Sequence, residues 1–379
     1  MTQNRLGFLG IMTGRRNGYP PVAEPEFCSQ LCAAAPSYGL QALVFHPEGV
    51  DGGSNTISGY TFSGGQWEQT MAAPPDIVYN RGLYTDPQEK RAAAAAIASL
   101  PRSVPWSRGL PDKWNVYRML RRSRDAAPLL PETRLYTGPA QLGAQLAKRA
   151  DGVFLKPVNG THGKRSLHAR LSGQKAGGGM CISGRDGANG VFHHTFVSLS
   201  LGLEWIHHFI GRRRYIIQSY LHLTDSKGHP FDVRVLMQKN GRGVWTLTGM
   251  AVRLGGRGGL TSNLHGGGTA VPAPAYLLEE YGGTAAEAML RELTAAAALL
   301  PPLLEASCGR LGELGLDFGI DRGGRIYLLE ANSKPGRAVF GLSGDRRAAR
   351  LAAENPLRYA RYLLLTRGAG CNPPRGQLH

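Results

Sequence analysis

Cysteine is scarce in this chain and poorly spaced for chemistry. The five residues are an odd number and contain no Cys-x-x-Cys pair, so neither a disulfide framework nor a zinc knuckle is indicated. Cys28 and Cys32 read as neighbours on one helix face, because the two further ligands a zinc site needs are not near them in sequence. Long apolar runs are also missing. The longest, Leu293 to Leu304, is interrupted by Pro301 and Pro302 and falls short of the roughly 20 residues that span a bilayer. At the amino end, Leu6 to Met12 is shorter than a secretory signal core and has no small-residue cleavage site behind it. It reads as the buried first strand of a cytoplasmic protein with no membrane partner.

Acidic residues are in the minority. The chain has 27 Asp and Glu against 44 Lys and Arg, a formal net charge of +17, which favours an anionic partner such as nucleic acid, an anionic surface, or an acidic peptide or protein. The basic runs Arg212-Arg213-Arg214 and Arg118 to Arg124 lack the interleaved aromatics of a single-strand groove. They also lack the signatures of a helix-turn-helix or RNA-recognition domain. A solvated basic face is the preferred reading over a nucleic-acid site.

What is present points to an α/β protein. With 379 residues, 42% of them hydrophobic and 19% charged, the chain is long enough for two or three lobes with cores of their own. Up to about Pro105, strand-like runs (Leu6 to Met12, Ala42 to His46, Asp76 to Asn80) alternate with helical patterns (Glu26 to Ala35, Glu89 to Leu100). Gly7, Gly10 and Gly14 do not have dinucleotide-fingerprint spacing, and Glu48 lies beyond a proline, so a Rossmann cofactor site is not expected.

From Pro111 onward the sequence carries chemistry. Asp112 is placed to cap a helix running through Arg122. Gly152 to Pro157 is an apolar strand with a single lysine, Lys156, followed at once by Asn159-Gly160-Thr161-His162-Gly163-Lys164. A lysine on such a strand is unfavourable unless its ammonium meets an anion, and a glycine-bearing loop frees backbone N–H groups to cover phosphates. A snorkelling lysine beside an ordinary turn is the alternative. The loop is not a Walker motif. Further on, Phe231 to Met237 alternates as a strand, with Asp232 and Arg234 on one face. Those two either pair across a sheet or present the arginine to a carboxylate or phosphate. Arg253, the glycines from Gly255 to Gly259, and Thr261 to Gly268 follow, dense enough in glycine for close approach to a ligand. Finally, Gly315 to Asp321 and Ile326 to Gly336 read as a hairpin turning at Arg322 to Arg325. Glu330 and Asn332 leave one face of its second strand, and Asp317 is beside them on the first. Such oxygen donors suit Mg²⁺ bridging nucleotide phosphates, or else form a metal-free polar cluster.

In this order, Lys113, Lys156 with its glycine loop, Gln218, Asp232-x-Arg234, Arg253, Asn263-Leu264-His265-x-Gly267-Gly268, Asp317 and Glu330-x-Asn332 resemble the ATP-grasp superfamily, closest in motif to ribosomal-protein glutamate ligases. Pro75 to Arg81, Tyr215 to Gln218, and Glu330 to Arg337 are similar to the YheC/YheD family associated with bacterial endospore coats. The resemblance implies an α/β (α+β) ATP-grasp fold in three parts: an N-terminal α/β domain over 1–108, a central lobe over 109–222 and a C-terminal lobe over 223–379. It implies ATP and Mg²⁺ as cofactors. Lys113 and Lys156 would contact phosphates, covered by the loop of Gly160, Thr161, His162, Gly163 and Lys164. Gln218 and the backbone near Tyr220 would meet adenine, with Asp225 a candidate for the ribose. Arg253 and Asn263 would face the γ-phosphate and an acyl-phosphate, Arg234 the substrate carboxylate or phosphate, and Asp317, Glu330 and Asn332 the magnesium. His265 is either an acid-base group or a structural residue of its glycine turn. The implied activity is carboxylate-amine or carboxylate-hydroxyl ligation, and the basic charge favours an acidic peptide or protein as the carboxylate. The alternatives are a non-catalytic ATP-binding spore-coat protein and a nucleic-acid-binding protein.

Overall fold

The computed structural model describes residues 6–84, 86–160, 163–173, 178–257, 259, 262 and 268–367. Three sheets follow one another along the chain. The first contains β1 (Gly7–Met12), β2 (Leu40–Asp51), β3 (Thr56–Ser63), β4 (Gln66–Ala72), β5 (Ile77–Asn80) and β6 (Val104–Pro105), in the order β4-β3-β2-β1-β5-β6. β2, β1, β5 and β6 pair in parallel, so both faces must be covered. Helix α1 (Pro25–Ala34) packs Phe27 and Leu31 with Leu9, Ile11 and Val44. Helix α2 (Pro87–Ala98) packs Ala93 and Ala96 with Met12, Leu43 and Val78, residues of opposite strand parity. Cys28 and Cys32 are both buried on α1. The β3-β4 hairpin was not visible in the sequence, where its Gly, Ser and Thr content masks the alternation.

The second sheet is antiparallel throughout: β7 (Thr133–Leu135), β8 (Val153–Pro157), β9 (Leu167–Ser172), β10 (Gly179–Arg185), β11 (Val191–Phe196) and β12 (Tyr215–Ser219) lie in the order β11-β10-β9-β8-β12-β7. Helices α4 (Pro139–Leu146) and α5 (Leu199–Ile210) bury Leu142, Leu146, Ile206 and Ile210 against Val153 and Leu155. Strand alternation therefore turns Lys156 to the other face, away from this core.

Helix α3 (Lys113–Leu120) precedes that sheet and packs instead on the third. There β13 (Phe231–Lys239), β14 (Trp245–Leu254), β15 (Thr269–Pro272), β16 (Glu313–Ile320) and β17 (Ile326–Asn332) form an antiparallel sheet in the order β15-β14-β13-β16-β17. Its apolar face is covered by α3, α6 (Ala273–Tyr281) and α7 (Gly283–Cys308) through Val116, Leu277, Leu293 and Leu300 packed on Val233, Val235 and Leu316. Pro301 and Pro302 lie inside α7. Each removes a helical donor, yet burial of Leu300, Pro301 and Leu304 carries the helix past them. Helices α8 (Ala338–Leu342) and α9 (Arg346–Arg367) cover part of the opposite face through Val339, Phe340 and Ala352. The far end of α9 returns to the first sheet, where Leu357, Tyr359 and Leu363 join the core of Leu9 and Ile11.

Candidate active site

The uncovered part of the third sheet carries a row of charges fixed by strand register. Asp232 is opposite Arg253, Arg234 opposite Asp317, and Asp317 opposite Glu330. The Arg234 guanidinium donates to both Asp317 oxygens at 2.5 and 3.1 Å, and Arg253 donates to both Asp232 oxygens at 2.7 Å. Arg253 also reaches Asp317 at 3.0 Å. Gly315 makes room for this: a Cβ there would stand 3.3 Å from Arg234 Nη1 and 2.7 Å from Pro335. Burial alone would raise the Asp317 carboxyl, but the Arg234 and Arg253 guanidiniums outweigh it and hold the group below its usual range. The carboxylate is thus kept ionised in a poorly hydrated place.

Lysines reach this row from the other side. Lys113, the first residue of α3, is positioned by Asp112, whose side chain caps the helix by accepting from Asn115 N at 2.9 Å. Its ammonium lies 3.4 Å from Glu330 and donates to Gly160 O at 2.6 Å. Lys156 crosses from β8 to donate to Leu329 O of β17 at 2.9 Å. Burial pushes its ammonium down to about 8, with Glu330 opposing the shift and Lys113 adding to it. Two ammoniums therefore share one carboxylate, and the surplus positive charge faces a cleft of about 2190 Å³. Gly160, Gly163, Lys164, Gln218 and Tyr220 also line it, as does Asn332. Gln218 Nε2 donates to Thr133 Oγ1 at 2.8 Å, fixing the side chain at the cleft wall. Among the described residues no three His, Cys, Asp or Glu side chains converge on a metal position. The oxygen donors brought together are two carboxylates, Asp317 and Glu330, and the carboxamide of Asn332.

Asp225 stands apart from the rest. Its carboxylate accepts from Lys227 N, His229 N and Tyr276 OH at 3.0, 2.7 and 3.1 Å, and it is absent from the cleft lining. In the structure Asp225 closes its own loop, as Asp often does, and is not among the side chains brought together at the charged row. Thr161, His162, Asn263 and His265 lie outside the described residues.

The sequence reading also missed groups. The Ser262 hydroxyl donates to Asp232, completing that carboxylate's shell. A second cluster joins the first and third sheets. Glu313, 0% exposed, accepts from Tyr79 OH at 2.6 Å, Arg81 Nη1 at 2.9 Å, Gln238 Nε2 at 3.1 Å, and Arg337. Tyr79 and Arg81 belong to a stretch read only as strand and family marker, and a lone Glu313 before an apolar strand has no periodic signal of its own.

An antiparallel sheet bearing charges, a second sheet offering a lysine across a cleft, and a parallel-sheet domain at the cleft's end are the parts of an ATP-grasp protein, and solved structures agree. D-cycloserine synthetase DcsG matches with a TM-score of 0.55 at 15% identity, over 95% of this chain and 99% of that one. The ATP-grasp ligase PsnB, solved with a minimal precursor, matches at 0.52 and 14% identity over 92% and 98%. At such identities the likeness is one of fold. The YheC/D-like ATP-grasp family model matches residues 105–363, and the chain belongs to that family. Endospore coat-associated protein YheC of Bacillus subtilis (strain 168) is 29% identical over 346 residues, 90% of this chain and 93% of that protein. YheD of the same organism is 28% identical over 346 residues, 89% and 74%. The expected fold class and family are both borne out.

Proposed function

We propose that this chain is an ATP-dependent ligase that activates a carboxylate, borne by an acidic peptide or protein, as an acyl-phosphate. The observation that carries the reading is the charged row of Arg253, Asp232, Arg234, Asp317 and Glu330, matched across the cleft by Lys113 and Lys156. Lys113 and Lys156 bind the ATP phosphates, and the loop of Gly160 to Lys164, including Thr161 and His162, folds over them. Gln218 and Tyr220 border the adenine. Arg253, Arg234 and Asn263 meet the transferring phosphoryl group and the substrate carboxylate. Three parts cooperate: 1–108, 109–222 and 223–379.

The donor set fits Mg²⁺. Glu330 and Asn332 are cleft-lining hard oxygen ligands, and Asp317, though held by two guanidiniums, stays ionised with one acceptor position left on Oδ1. When bound, the ion neutralises charge on the phosphate oxygens. In the first step a carboxylate oxygen bonds to the γ-phosphorus and the bond to the β,γ-bridging oxygen breaks, releasing ADP. In the second, an amine or hydroxyl attacks the acyl carbon, phosphate leaves, and the nucleophile's proton passes to solvent. Arg234, Arg253 and the lysines stabilise the charge that spreads over the transferring oxygens. The names of the relatives favour a spore-coat setting for that chemistry.

Hydroxylamine tests it. Acidic peptides incubated with the chain, Mg-ATP and hydroxylamine should yield a hydroxamate on a peptide carboxylate together with ADP. Glu330→Gln should still bind ADP but give no hydroxamate. Release of AMP would overturn the acyl-phosphate, and full turnover by Glu330→Gln would move the metal elsewhere.

A further inference from the structure

The cleft extends beyond the nucleotide-facing row to the first sheet. That sheet's parallel strands reverse their order at β1, with β2 on one side and β5 on the other. Side chains at the carboxyl ends of such strands form a natural ligand crevice. The loop after β1 contributes Gly14, Arg15 and Arg16 to the cleft, and the loop after β5 contributes Arg81, Gly82 and Tyr84. Opposite them, from the segment after β17, comes Lys334.

The charges at this end do not balance. Arg81 is taken up by Glu24 and Glu313, both at 2.9 Å, and Arg337 by Glu313. Lys334 is half-buried beside them, and among the described residues its ammonium donates only to Gly82 O at 2.5 Å and Asn80 Oδ1 at 3.3 Å. The Tyr84 ring lies 5.3 Å from it. No carboxylate among the described residues pairs with Lys334, so three cations share two carboxylates. A desolvated charge without a counter-ion is unfavourable, and here the uncompensated charge faces open cleft. Arg15 and Arg16 are exposed on the neighbouring loop, without ion-pair partners among the described residues, and add to the field. The Tyr84 hydroxyl is buried without an acceptor among the described residues, a further donor at this end. Ammonium, guanidinium and phenol groups together suit an oxyanion, carboxylate or phosphate, and the ligase reading supplies the carboxylate.

We infer that Lys334, with Arg15 and Arg16, forms a carboxylate-binding subsite at the first-sheet end of the cleft, which holds the acidic substrate while its reacting carboxylate lies at the nucleotide. The inference rests on the ligase reading and adds to it where the substrate is gripped. Lys334 is a binding residue here and acts on no bond.

The probe is a fluorescein-labelled peptide of consecutive glutamates, titrated by anisotropy into the full chain with ADP and Mg²⁺, with ADP affinity measured separately by calorimetry. Lys334→Met should weaken peptide binding by about tenfold, the size of one charge-assisted hydrogen bond, and leave ADP affinity within about twofold. The exposed pair Arg15→Ser with Arg16→Ser, which disturbs no core, should weaken the peptide similarly. Arg118→Ser with Arg122→Ser removes equal charge outside the cleft and should change neither. Equal weakening by that control would make the attraction diffuse and overturn the subsite. So would unchanged peptide binding in Lys334→Met, in which case the ligase reading survives. A tenfold loss of ADP affinity in Lys334→Met would assign the ammonium to the nucleotide instead. A native chain that binds ADP but not the peptide would remove the acidic-peptide reading and the subsite with it.

Discussion

Glu313 and Asp317 leave the same face of β16 four residues apart, and each is a buried carboxylate held by two arginines. Their surroundings differ. Glu313 is sealed at a junction between sheets, with Tyr79, Arg81, Gln238 and Arg337 filling its lone pairs. Asp317 borders the cleft, flanked by Glu330 and, beyond it, by lysines that have more positive charge than the carboxylates near them can satisfy. A closed charge cluster sets geometry, whereas an open one waits for a ligand. The same strand supplies both, so the polar network that fixes the first sheet also fixes the register of the row that would face ATP.

The largest expected effect falls on the closed cluster. Glu313→Ala strands Arg81 and Arg337 without their shared acceptor, and breaking a buried ion pair in this way destabilises by about 3–5 kcal/mol. A urea melt of the variant should show a loss of unfolding free energy of that size. If the loss is under about 1 kcal/mol, the two clusters do not differ as described. Arg81 reaches Pro335 O as well, at 3.1 Å, so the loss should also loosen the turn that follows Asn332.

Lys156→Ala is the matching break in the open cluster, and its effect should appear in binding and not in folding. Among the described residues the ammonium donates to a single carbonyl, and it is unfavourably desolvated in the unliganded chain. Its removal should leave the melting midpoint nearly unchanged while ADP affinity falls by roughly 100-fold, as for a lost charged contact to phosphate. Unchanged ADP affinity by calorimetry would place the phosphates elsewhere.

The two clusters were not equally legible from the sequence. Lys156 stood out because an apolar strand tolerates few lysines, and Glu330-x-Asn332 because alternation puts both side chains on one face. Pairing across a sheet was one of two readings of Asp232 and Arg234, and only register across β13 and β16 brings Arg234 to Asp317. Tyr79 and Arg81 lie 234 and 232 residues from Glu313, and nothing local marks a partner at that distance. Asp225 was named from the resemblance and not from any local pattern. Its hydrogen bonds to the backbone of its own turn depend on a loop geometry that the sequence does not spell out. The β3-β4 hairpin was hidden by composition, and α7 by two prolines that core packing overrides.

The smallest effect is a pH dependence, and its sign follows from the direction of the Lys156 shift. Burial lowers the ammonium to about 8 in the free chain, against about 10.4 for an unfolded lysine. Between those values the unfolded chain carries more protons than the folded one, so stability without nucleotide should rise with pH over that window. Binding runs the other way. Phosphates are met by the charged form, so ADP affinity should be flat below about pH 7 and fall by up to about tenfold per pH unit above 8, until the bound state also begins to lose its proton. Lys156→Arg keeps a cation whose pKa is beyond reach, so its ADP affinity, even if weaker overall, should stay level from pH 7 to 9.5. Calorimetric titrations of both proteins across that range would settle the point: parallel profiles would mean that the titrating group is not Lys156, and a falling native profile beside a level variant would tie the open cluster's surplus charge to this one ammonium.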